Sequence, residues 1–333
     1  MCEELEQKRL NGVFYTISNP FKTEGFYRWF DLIEDKESNI FIEPFAGANN
    51  IVLMINEINS NLKWECYDIN PPNYNNFDDF PVIKRDTLND FPNKYHVAIT
   101  NPPYLAKNSA TRRGLSFPET IYDDLYKLSL DVMLQNVDYI AAIVPESFLT
   151  QKLFHDRLHT VISLTCKMFE DTECPVCLAL FVPEKTDDFR IYRQDKFIGN
   201  YSELKNDIRL SEYSNIDWKF NDSLGTVGLY AIDNQVQASI RFCIGDNIDS
   251  DAVKYTSRSV TRISGLPDDI DLVEFVDKCN EILAEYRNHT EDVFLTSFKG
   301  LRKDNKYRRR LDFKTAKNIL NKAMEFFVNG GVN

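Results

Sequence analysis

Short apolar runs alternate with helical patterns through the first 185 residues, and this alternation limits the fold more than any other feature of the sequence. The pattern is typical of βαβ units, whose strands lie parallel in one sheet. It therefore predicts an α/β fold with a doubly wound, mostly parallel sheet. The predicted strands are 39–45, 62–69, 80–86, 95–101, 137–145, 163–169 and 175–183, and the predicted helices are 20–34, 50–58, 119–136 and 147–160.

The alternation of short apolar runs and helical patterns ends after residue 185. Residues 225–242 predict two strands joined at Asp233 and Asn234, and residues 271–287 predict an amphipathic helix. We therefore predict two domains, 1–185 and 186–333, of which the second is a smaller α+β domain.

Composition favours a globular protein, since 43% of the residues are apolar and 27% are charged. The first ten residues lack the pattern of a signal peptide, and apolar runs such as 139–145 are too short to span a membrane. The seven cysteines show no framework spacing and fit reduced thiols. These features predict a soluble, cytoplasmic protein.

Polar residues stand where successive predicted strands end, namely Glu43, Asp68, Asp86 and Asn101. A doubly wound sheet binds ligands beyond the carboxyl ends of its strands. The small-residue turn around Gly47 is expected to bring backbone N–H groups and a helix start near a ligand. Each aspartate alone is better explained by turn capping. The ordered series, however, indicates an adenosine-containing cofactor at the sheet edge, with Asp68 on the ribose and Asp86 on the adenine amine.

The chain resembles the amino-methyltransferases that use S-adenosylmethionine, particularly the N6-adenine DNA methyltransferases with an Asn-Pro-Pro-Tyr motif and a C-terminal target-recognition domain. The resemblance covers residues 11 to 183. Two positions depart from the family, because Ile17 and Asn49 replace a Pro and a second Gly. Asn tolerates positive φ better than other residues with a side chain. The matching segments are NGVFYTISNPF, IEPFAGANN, CYDIN, IKRDTL, ITNPPYL, YIAAIVPESFLT and MFEDTECPVCLALF.

The resemblance implies which residues form the site. Tyr15 and Thr16 would close over the methionine part of the cofactor. The implied cofactor-binding residues are Tyr15, Thr16, Glu43, Phe45, Ala46, Gly47, Asp68, Ile69, Asp86, Thr87 and Asn101. The implied catalytic residues are Asn101, Pro102, Pro103, Tyr104 and Phe181.

The rigid Asn-Pro-Pro-Tyr segment suits methylation of an exocyclic amine, whose lone pair is delocalised into the ring. The prolines fix φ and remove backbone donors, so they hold acceptors in place. The side-chain oxygen of Asn101 and the carbonyl of Pro102 would accept the two amine hydrogens. Tyr104 and Phe181 would stack on the two faces of an extruded base, and such stacking is worth roughly 1–3 kcal/mol.

A net charge of −12 argues against a polyanionic partner, yet residues 298–322 hold ten Lys and Arg against two Asp. Residues 105–119, which follow Tyr104, are also basic and predict a mobile loop that closes over a phosphate backbone. A solvated helix face and a surface loop explain these segments equally well on composition. The predicted DNA contacts are Lys107, Arg112, Arg113, Arg302, Lys303, Lys306, Arg308, Arg309 and Arg310.

The sequence therefore predicts a site-specific methyltransferase that modifies N6 of a flipped adenine in double-stranded DNA within a restriction system, with a cognate endonuclease as a further partner. Monomer and homodimer are both open. Methylation of an RNA adenine or of a protein glutamine amide stays open, as does a non-catalytic DNA-recognition or DNA-mimic subunit. The HDRLH and CPVC segments, residues 155–159 and 174–177, lack a second ligand pair, so no metal is expected.

Overall fold

The computed structural model describes residues 18–93, 95–165, 168–169, 174–206, 216–254, 256–304 and 306–328. Tyr15, Thr16 and Ile17 therefore lie outside the described residues. The chain divides into two compact units, Met1–Phe197 and Ile198–Asn333. The predicted boundary at residue 185 lies before this division, because two further strands follow it in the first unit's sheet.

The first unit contains one large sheet with the order β3-β2-β1-β4-β5-β7-β6-β8-β9. β1 to β5 are parallel to their neighbours within this group, whereas β7 is antiparallel to both β5 and β6. The chain builds outward from β1 to β3 and returns to β4 on the other side of β1, which makes β1 and β4 the switch point of a doubly wound sheet. The predicted fold class is confirmed. The strands are β1 (Ile40–Glu43), β2 (Lys63–Asp68), β3 (Val82–Lys84), β4 (Val97–Thr100), β5 (Tyr139–Pro145), β6 (Leu158–Ser163), β7 (Val176–Phe181), β8 (Arg190–Arg193) and β9 (Lys196–Asn200).

The helices described in the first unit are α1 (Glu24–Phe30), α2 (Asn50–Asn56), α3 (Lys107–Arg113) and α4 (Leu125–Asn136). The predicted loop at 105–119 is wrong, since it contains α3.

Two predicted elements near residue 160 are also wrong. The predicted helix 147–160 is replaced by two 3-10 turns, Glu146–Thr150 and His155–Arg157, followed by β6. The predicted strand 163–169 is wrong because β6 ends at Ser163. Pairing of β6 with both β7 and β8 fixes the strand there and outweighs the local helical pattern.

The core of the first unit lies against the sheet. Every residue of β4 and β7 is buried, as expected for strands covered on both faces. α1 contributes Phe26, Trp29 and Phe30, and the indole N–H of Trp29 donates to the Phe181 carbonyl at 2.8 Å. A sheet packed in this way holds its strand ends in fixed positions.

The second unit contains a four-stranded antiparallel sheet of order β10-β13-β11-β12 and a separate two-stranded pair, β14 and β15. The predicted antiparallel pairing is found between β11 and β12, but the predicted turn at Asp233 and Asn234 is wrong, because residues 231–240 connect the strands and β12 begins only at Arg241. The predicted helix 271–287 is confirmed as α6. No helix in the described part of the chain has both the length and the apolarity needed to cross a bilayer. The elements are α5 (Tyr201–Asn206), β10 (Lys219–Phe220), β11 (Val227–Tyr230), β12 (Arg241–Ile244), β13 (Val260–Ser264), α6 (Leu272–Thr290), β14 (Thr296–Leu301), β15 (Tyr307–Arg310) and α7 (Phe313–Val328).

A buried carboxylate, Asp233, links several elements of the second unit. Its side chain is fully buried, and it accepts hydrogen bonds from Arg287 at 3.0 Å and from Arg302 at 3.1 Å. The Ser239 amide donates to the same carboxylate at 2.7 Å. Burial opposes ionisation, but these hydrogen bonds outweigh it, so the pKa of Asp233 lies below its ordinary value. The cations of the unit itself therefore fully satisfy this carboxylate.

Candidate active site

Glu43 ends β1 at the switch point of the sheet and is fully buried. Its Oε1 atom accepts from the Phe45 amide at 3.0 Å and from the Thr100 hydroxyl. Its Oε2 atom is buried and has no hydrogen-bond partner among the described residues. An unsatisfied buried polar atom costs about 1–3 kcal/mol, so it calls for an explanation.

Burial raises the pKa of Glu43 to about 8, against the opposing effect of the hydrogen bonds from Thr100 and Phe45, and the neighbouring Asp68 carboxylate raises it further. Near pH 7 the carboxyl group is therefore mostly protonated. A positive charge placed beside Oε2 would favour its ionisation.

Asp68 ends β2 and holds the turn that follows β1. Its Oδ2 atom accepts from the Gly47 amide at 3.0 Å, and Gly47 has φ = 51°. The Ala46 amide donates to a carbonyl of β2 at 2.8 Å, and the Phe45 amide donates to Glu43. The expectation that the amides of this turn face a ligand is wrong for these three residues, because each donates inside the protein. The Asp68 carboxylate fixes the turn and still has lone pairs to offer, since a carboxylate has about four acceptor sites.

Asn49 follows this turn with φ = 63°, which confirms that Asn takes the positive φ at the position where the family has Gly. Its side chain is buried and donates from Nδ2 to the Phe80 carbonyl at 2.7 Å. The Asn76 amide donates to the Ala48 carbonyl at 2.9 Å in the same region. Asn49 thus ties the long connection between β2 and β3 to the turn, which a glycine could not do.

The residues after β3 serve the local structure. Asp86 accepts from the Leu88 amide at 3.2 Å and from the Asn89 side chain at 2.8 Å, as a turn-capping aspartate does. Its role toward a cofactor stays a prediction. Thr87 was predicted to contact the cofactor, but it is buried and its hydroxyl donates to the Pro44 carbonyl at 2.8 Å, so it links two loops instead. Ile69 directly follows β2 and is 54% exposed.

The Asn-Pro-Pro-Tyr segment directly follows the buried strand β4. Pro102 is buried, and Asn101, Pro103 and Tyr104 are half-buried. The Tyr104 hydroxyl lies 2.7 Å from Asn101 Oδ1 and 2.7 Å from the Ile143 carbonyl oxygen. It has one proton and so donates to one of these acceptors at a time. The hydroxyl thereby orients the Asn101 amide against β5, which the sequence did not predict.

Asp124 anchors the chain just beyond this segment and was missed by the sequence analysis. Its Oδ1 atom accepts from the Leu105 amide at 3.1 Å and from the Tyr126 amide at 3.5 Å, where it caps α4. Burial raises the pKa of Asp124, while these two hydrogen bonds oppose the rise. An Asp immediately before an apolar periodic run is a helix N-cap signal, and this signal could have found it.

The aromatic residues near Tyr104 include Phe169 and Tyr126 but not Phe181. Phe181 is fully buried at the carboxyl end of β7 and pairs with Ile140. Because β7 is antiparallel to β5, Phe181 lies at the amino end of β5, whereas Asn101 lies beyond the carboxyl end of the parallel strand β4. The predicted catalytic role of Phe181 is therefore wrong. The Phe169 ring lies 6.0 Å from the Tyr104 ring at 76°.

The cysteine pair of the CPVC segment lies in an apolar setting. Burial raises the pKa of Cys174 to about 11 and the pKa of the Cys177 thiol well above its ordinary value. A thiolate is the form that ligates metals. Among the described residues, no group of three or more His, Cys, Asp and Glu side chains could hold a metal ion.

The predicted DNA-contacting residues fall into exposed and buried sets. Arg302 and Arg309 are 7% and 2% exposed. Arg302 pairs with Asp233 and Asp304, and Arg309 donates to the Ser297 hydroxyl at 3.2 Å. Their predicted contact with DNA is wrong, because strand alternation and ion pairing place both guanidinium groups inside the unit.

The remaining basic residues are accessible to different degrees. Arg308 is half-buried, donates to the Asp233 carbonyl at 2.8 Å and lies over the Phe298 ring at 4.8 Å. Arg310 is half-buried as well. The exposed residues are Lys107, Arg112, Arg113, Lys303 and Lys306.

No protein-family model matches the chain, and no curated protein matches it in sequence. Solved structures with a similar fold over part of the chain include the methyltransferase subunit of a type I restriction-modification system from Streptococcus thermophilus, with 17% identity over 54% of this chain and 47% of that chain and a TM-score of 0.39. The M protein of the type I restriction enzyme EcoKI matches with 15% identity over 46% of this chain and 44% of that chain, with a TM-score of 0.35. A nuclease-deletion mutant of the type ISP enzyme LlaGI, in complex with a DNA substrate mimic, matches with 10% identity over 57% of this chain and 28% of that chain, with a TM-score of 0.37.

The chain spans less than half the length of each of these three proteins. Likenesses with such low identities and TM-scores assign no activity to this chain.

Proposed function

We propose that the first unit binds S-adenosylmethionine at the carboxyl edge of β1 and β4 and transfers its methyl group to N6 of adenine in double-stranded DNA, as the modification enzyme of a restriction system. One observation carries the proposal. The buried carboxyl group of Glu43 has one oxygen, Oε2, without a hydrogen-bond partner among the described residues. Its other oxygen, Oε1, accepts a hydrogen bond from Thr100, the residue before Asn101. A candidate cation site and a candidate amine site thus meet at the switch point of the sheet.

The residues present fit this cofactor. When bound, S-adenosylmethionine supplies a methyl group on a positively charged sulfur atom. The partnerless Oε2 atom of Glu43 suits a cationic ligand, and Asp68 has acceptor sites left for hydroxyl groups. The exposed side chain of Ile69 suits an apolar ring. Asp86, Tyr15 and Thr16 belong to the same proposal through the family resemblance.

Asn101 and Pro102 are proposed to bind the target amine. An amide oxygen accepts two hydrogen bonds, so Asn101 Oδ1 takes one from the amine while the other site remains available to Tyr104. The Pro102 carbonyl takes the second amine hydrogen. The acceptors are held by the stiff segment and the buried strand before it, so they need little reorganisation during reaction, and removing one such preorganised group typically costs about 10²–10³ in rate.

Transfer of a labelled methyl group to duplex DNA tests the proposal, with the DNA then digested to nucleosides. We expect label in N6-methyladenine for the wild type. We expect Asn101→Ala to lose at least about 100-fold of the transfer rate while still binding labelled cofactor in equilibrium dialysis.

The matched control is Asn136→Ala, an exposed asparagine at the end of α4, which should transfer at the wild-type rate. Equal transfer by Asn101→Ala and the wild type would refute the role of Asn101. The same assay with RNA or a glutamine-containing protein in place of DNA covers the alternatives, and label in one of these but not in DNA would contradict the proposed substrate. A chain that binds no cofactor would contradict the proposal as a whole.

A further inference from the structure

The second unit contains a cavity of about 430 Å³ whose walls combine cations, hydroxyl groups and an aromatic ring. This volume lies within the ~300–1,000 Å³ typical of small-ligand sites. Six of its lining residues carry the argument: Asn221, Thr256, Ser257, Arg258, Arg310 and Phe313.

Strand alternation excludes Arg309 from the cavity, and the contacts of Arg308 distinguish it from Arg310, which lies on the same face of β15. Arg309 points inward and is 2% exposed, while Arg308 is engaged with the Asp233 carbonyl and the Phe298 ring. Arg310 lines the cavity. The basic run that the sequence analysis treated as one contact surface therefore offers one guanidinium group to this cavity.

The walls of the cavity neutralise only part of its positive charge. Within the described residues, no carboxylate pairs with Arg310 or with Arg258, which is exposed on the loop before β13. Asp312 also lines the cavity and accepts from the Thr315 amide at 3.0 Å and from the Thr315 hydroxyl at 2.8 Å; its negative charge offsets one of the two arginine charges and leaves one positive charge in excess. Two arginines without carboxylate partners are the usual means of holding a phosphate group.

One wall of the cavity is aromatic. The Phe313 ring stacks on the Phe220 ring with centroids 4.5 Å apart and planes at 18°. Both residues are half-buried. Aromatic rings beside a cationic groove are the platforms on which unpaired bases stack.

We propose that this cavity binds one nucleotide of a nucleic-acid strand, with Arg258 and Arg310 on its phosphate group and Phe313 against its base. This inference rests on the proposed function, because it assigns a DNA contact to the second unit. The same phosphate chemistry could come from a free mononucleotide, and the experiment separates the two sources.

Fluorescence anisotropy with a labelled single-stranded DNA at several salt concentrations, in the absence of cofactor, tests the site. For the variant Arg258→Gln/Arg310→Gln we expect at least 10-fold weaker binding. We also expect the slope of the logarithm of the association constant against the logarithm of the salt concentration to fall by about 0.7, because both arginines contact one phosphate group and each phosphate contact on a single strand contributes about 0.7. The matched control is Arg241→Gln, an exposed arginine of β12 that does not line the cavity and should leave the slope unchanged.

A second variant tests the site independently, in case the double variant does not fold. We expect Phe313→Leu to weaken DNA binding about 5-fold or more with an unchanged salt slope, since stacking carries no counterion release. An unchanged affinity in both variants overturns the proposal.

Equilibrium dialysis with labelled dAMP identifies the source of the nucleotide. Loss of dAMP binding in the double variant while its DNA binding is unchanged would overturn the assignment to a strand and leave a free nucleotide as the ligand. Because no cofactor is present, a failure of methyl transfer leaves these readings unaffected, so the two proposals fail separately.

Discussion

Glu43 in the first unit and Asp233 in the second unit are both fully buried carboxyl groups, yet they differ in their hydrogen-bond partners and in the direction of their pKa shifts. Asp233 accepts hydrogen bonds from two arginines and from backbone amides, and its pKa is lowered. Glu43 receives two hydrogen bonds on one oxygen and none from the described residues on the other, and its pKa is raised to about 8.

This difference distinguishes a carboxyl group that belongs to the scaffold from one that is available to a ligand. A buried charge that the protein pairs with its own cations leaves nothing for a ligand, and removing one partner of such a pair destabilises the fold. A buried carboxyl with an unsatisfied oxygen is costly to the fold, and a ligand that supplies the missing charge would offset that cost.

The largest expected effect is on Asp233. We expect Asp233→Asn to lower the free energy of unfolding by about 3–5 kcal/mol, because Arg287 and Arg302 would be left buried without their common partner. Urea denaturation measures the loss. A change below about 1 kcal/mol would contradict the view that this carboxylate is part of the scaffold.

The contribution of Glu43 to the free energy of unfolding should fall as pH rises, because its pKa is raised in the folded state. The unfolded residue ionises near its ordinary pKa of 4.5, whereas the folded residue keeps its proton until about pH 8. The folded state therefore binds one more proton between these values. The stability from this group is complete below pH 4.5 and is lost as pH rises through 8, at about 1.4 kcal/mol per pH unit.

Comparison with Glu43→Gln isolates this dependence. We expect the free energy of unfolding of Glu43→Gln, relative to the wild type, to rise by about 2 kcal/mol between about pH 6 and pH 7.5. Thermal or urea unfolding at both pH values measures it. A constant difference between the two proteins would show that Glu43 ionises normally.

Asp124 should have a smaller effect, since it makes hydrogen bonds at the surface of the core rather than an ion pair. We expect Asp124→Ala to lower the free energy of unfolding by about 1–2 kcal/mol, through loss of the helix cap and of the bond to the Leu105 amide. Displacement of the neighbouring Asn-Pro-Pro-Tyr segment should also reduce methyl transfer. A variant that loses stability but transfers methyl groups at the wild-type rate would show that Asp124 only caps the helix.

The smallest expected effect on stability is at Arg112, an exposed residue of α3 near the Asn-Pro-Pro-Tyr segment. We expect Arg112→Gln to change the free energy of unfolding by less than about 0.5 kcal/mol and to lower the DNA salt slope by about 0.9. An unchanged slope would exclude Arg112 from the contact surface.

The strand ends were predictable because each apolar run stops at a polar residue. Glu43, Asp68 and Asn101 could therefore be placed at one sheet edge from the sequence. The direction of β7 could not be predicted, since an apolar strand reads alike in both directions. This single unknown moved Phe181 to the far end of the sheet and left Phe169 beside Tyr104.

The sequence also did not predict which basic residues are buried. Arg302, Arg309 and Arg310 are alike in charge and spacing, although Arg302 and Arg309 are buried and Arg310 lines the cavity described above. Asp304, two residues from Arg302, could have been recognised as its partner, whereas Asp233 lies far away in sequence and no local pattern could reveal that it pairs with Arg302. The internal hydrogen bonds of Gly47 and Thr87 likewise depend on long-range contacts.

Proton release during cofactor binding tests the central contrast most directly. Titration calorimetry at about pH 7 in buffers of different ionisation enthalpy gives the number of protons released per S-adenosylmethionine bound. If a positive ligand group lies beside Glu43, the wild type should release close to one proton. Glu43→Gln should release none and should bind at least about 10-fold more weakly. Equal affinity and equal proton release in the two proteins would contradict the assignment of this buried carboxyl to a cofactor site.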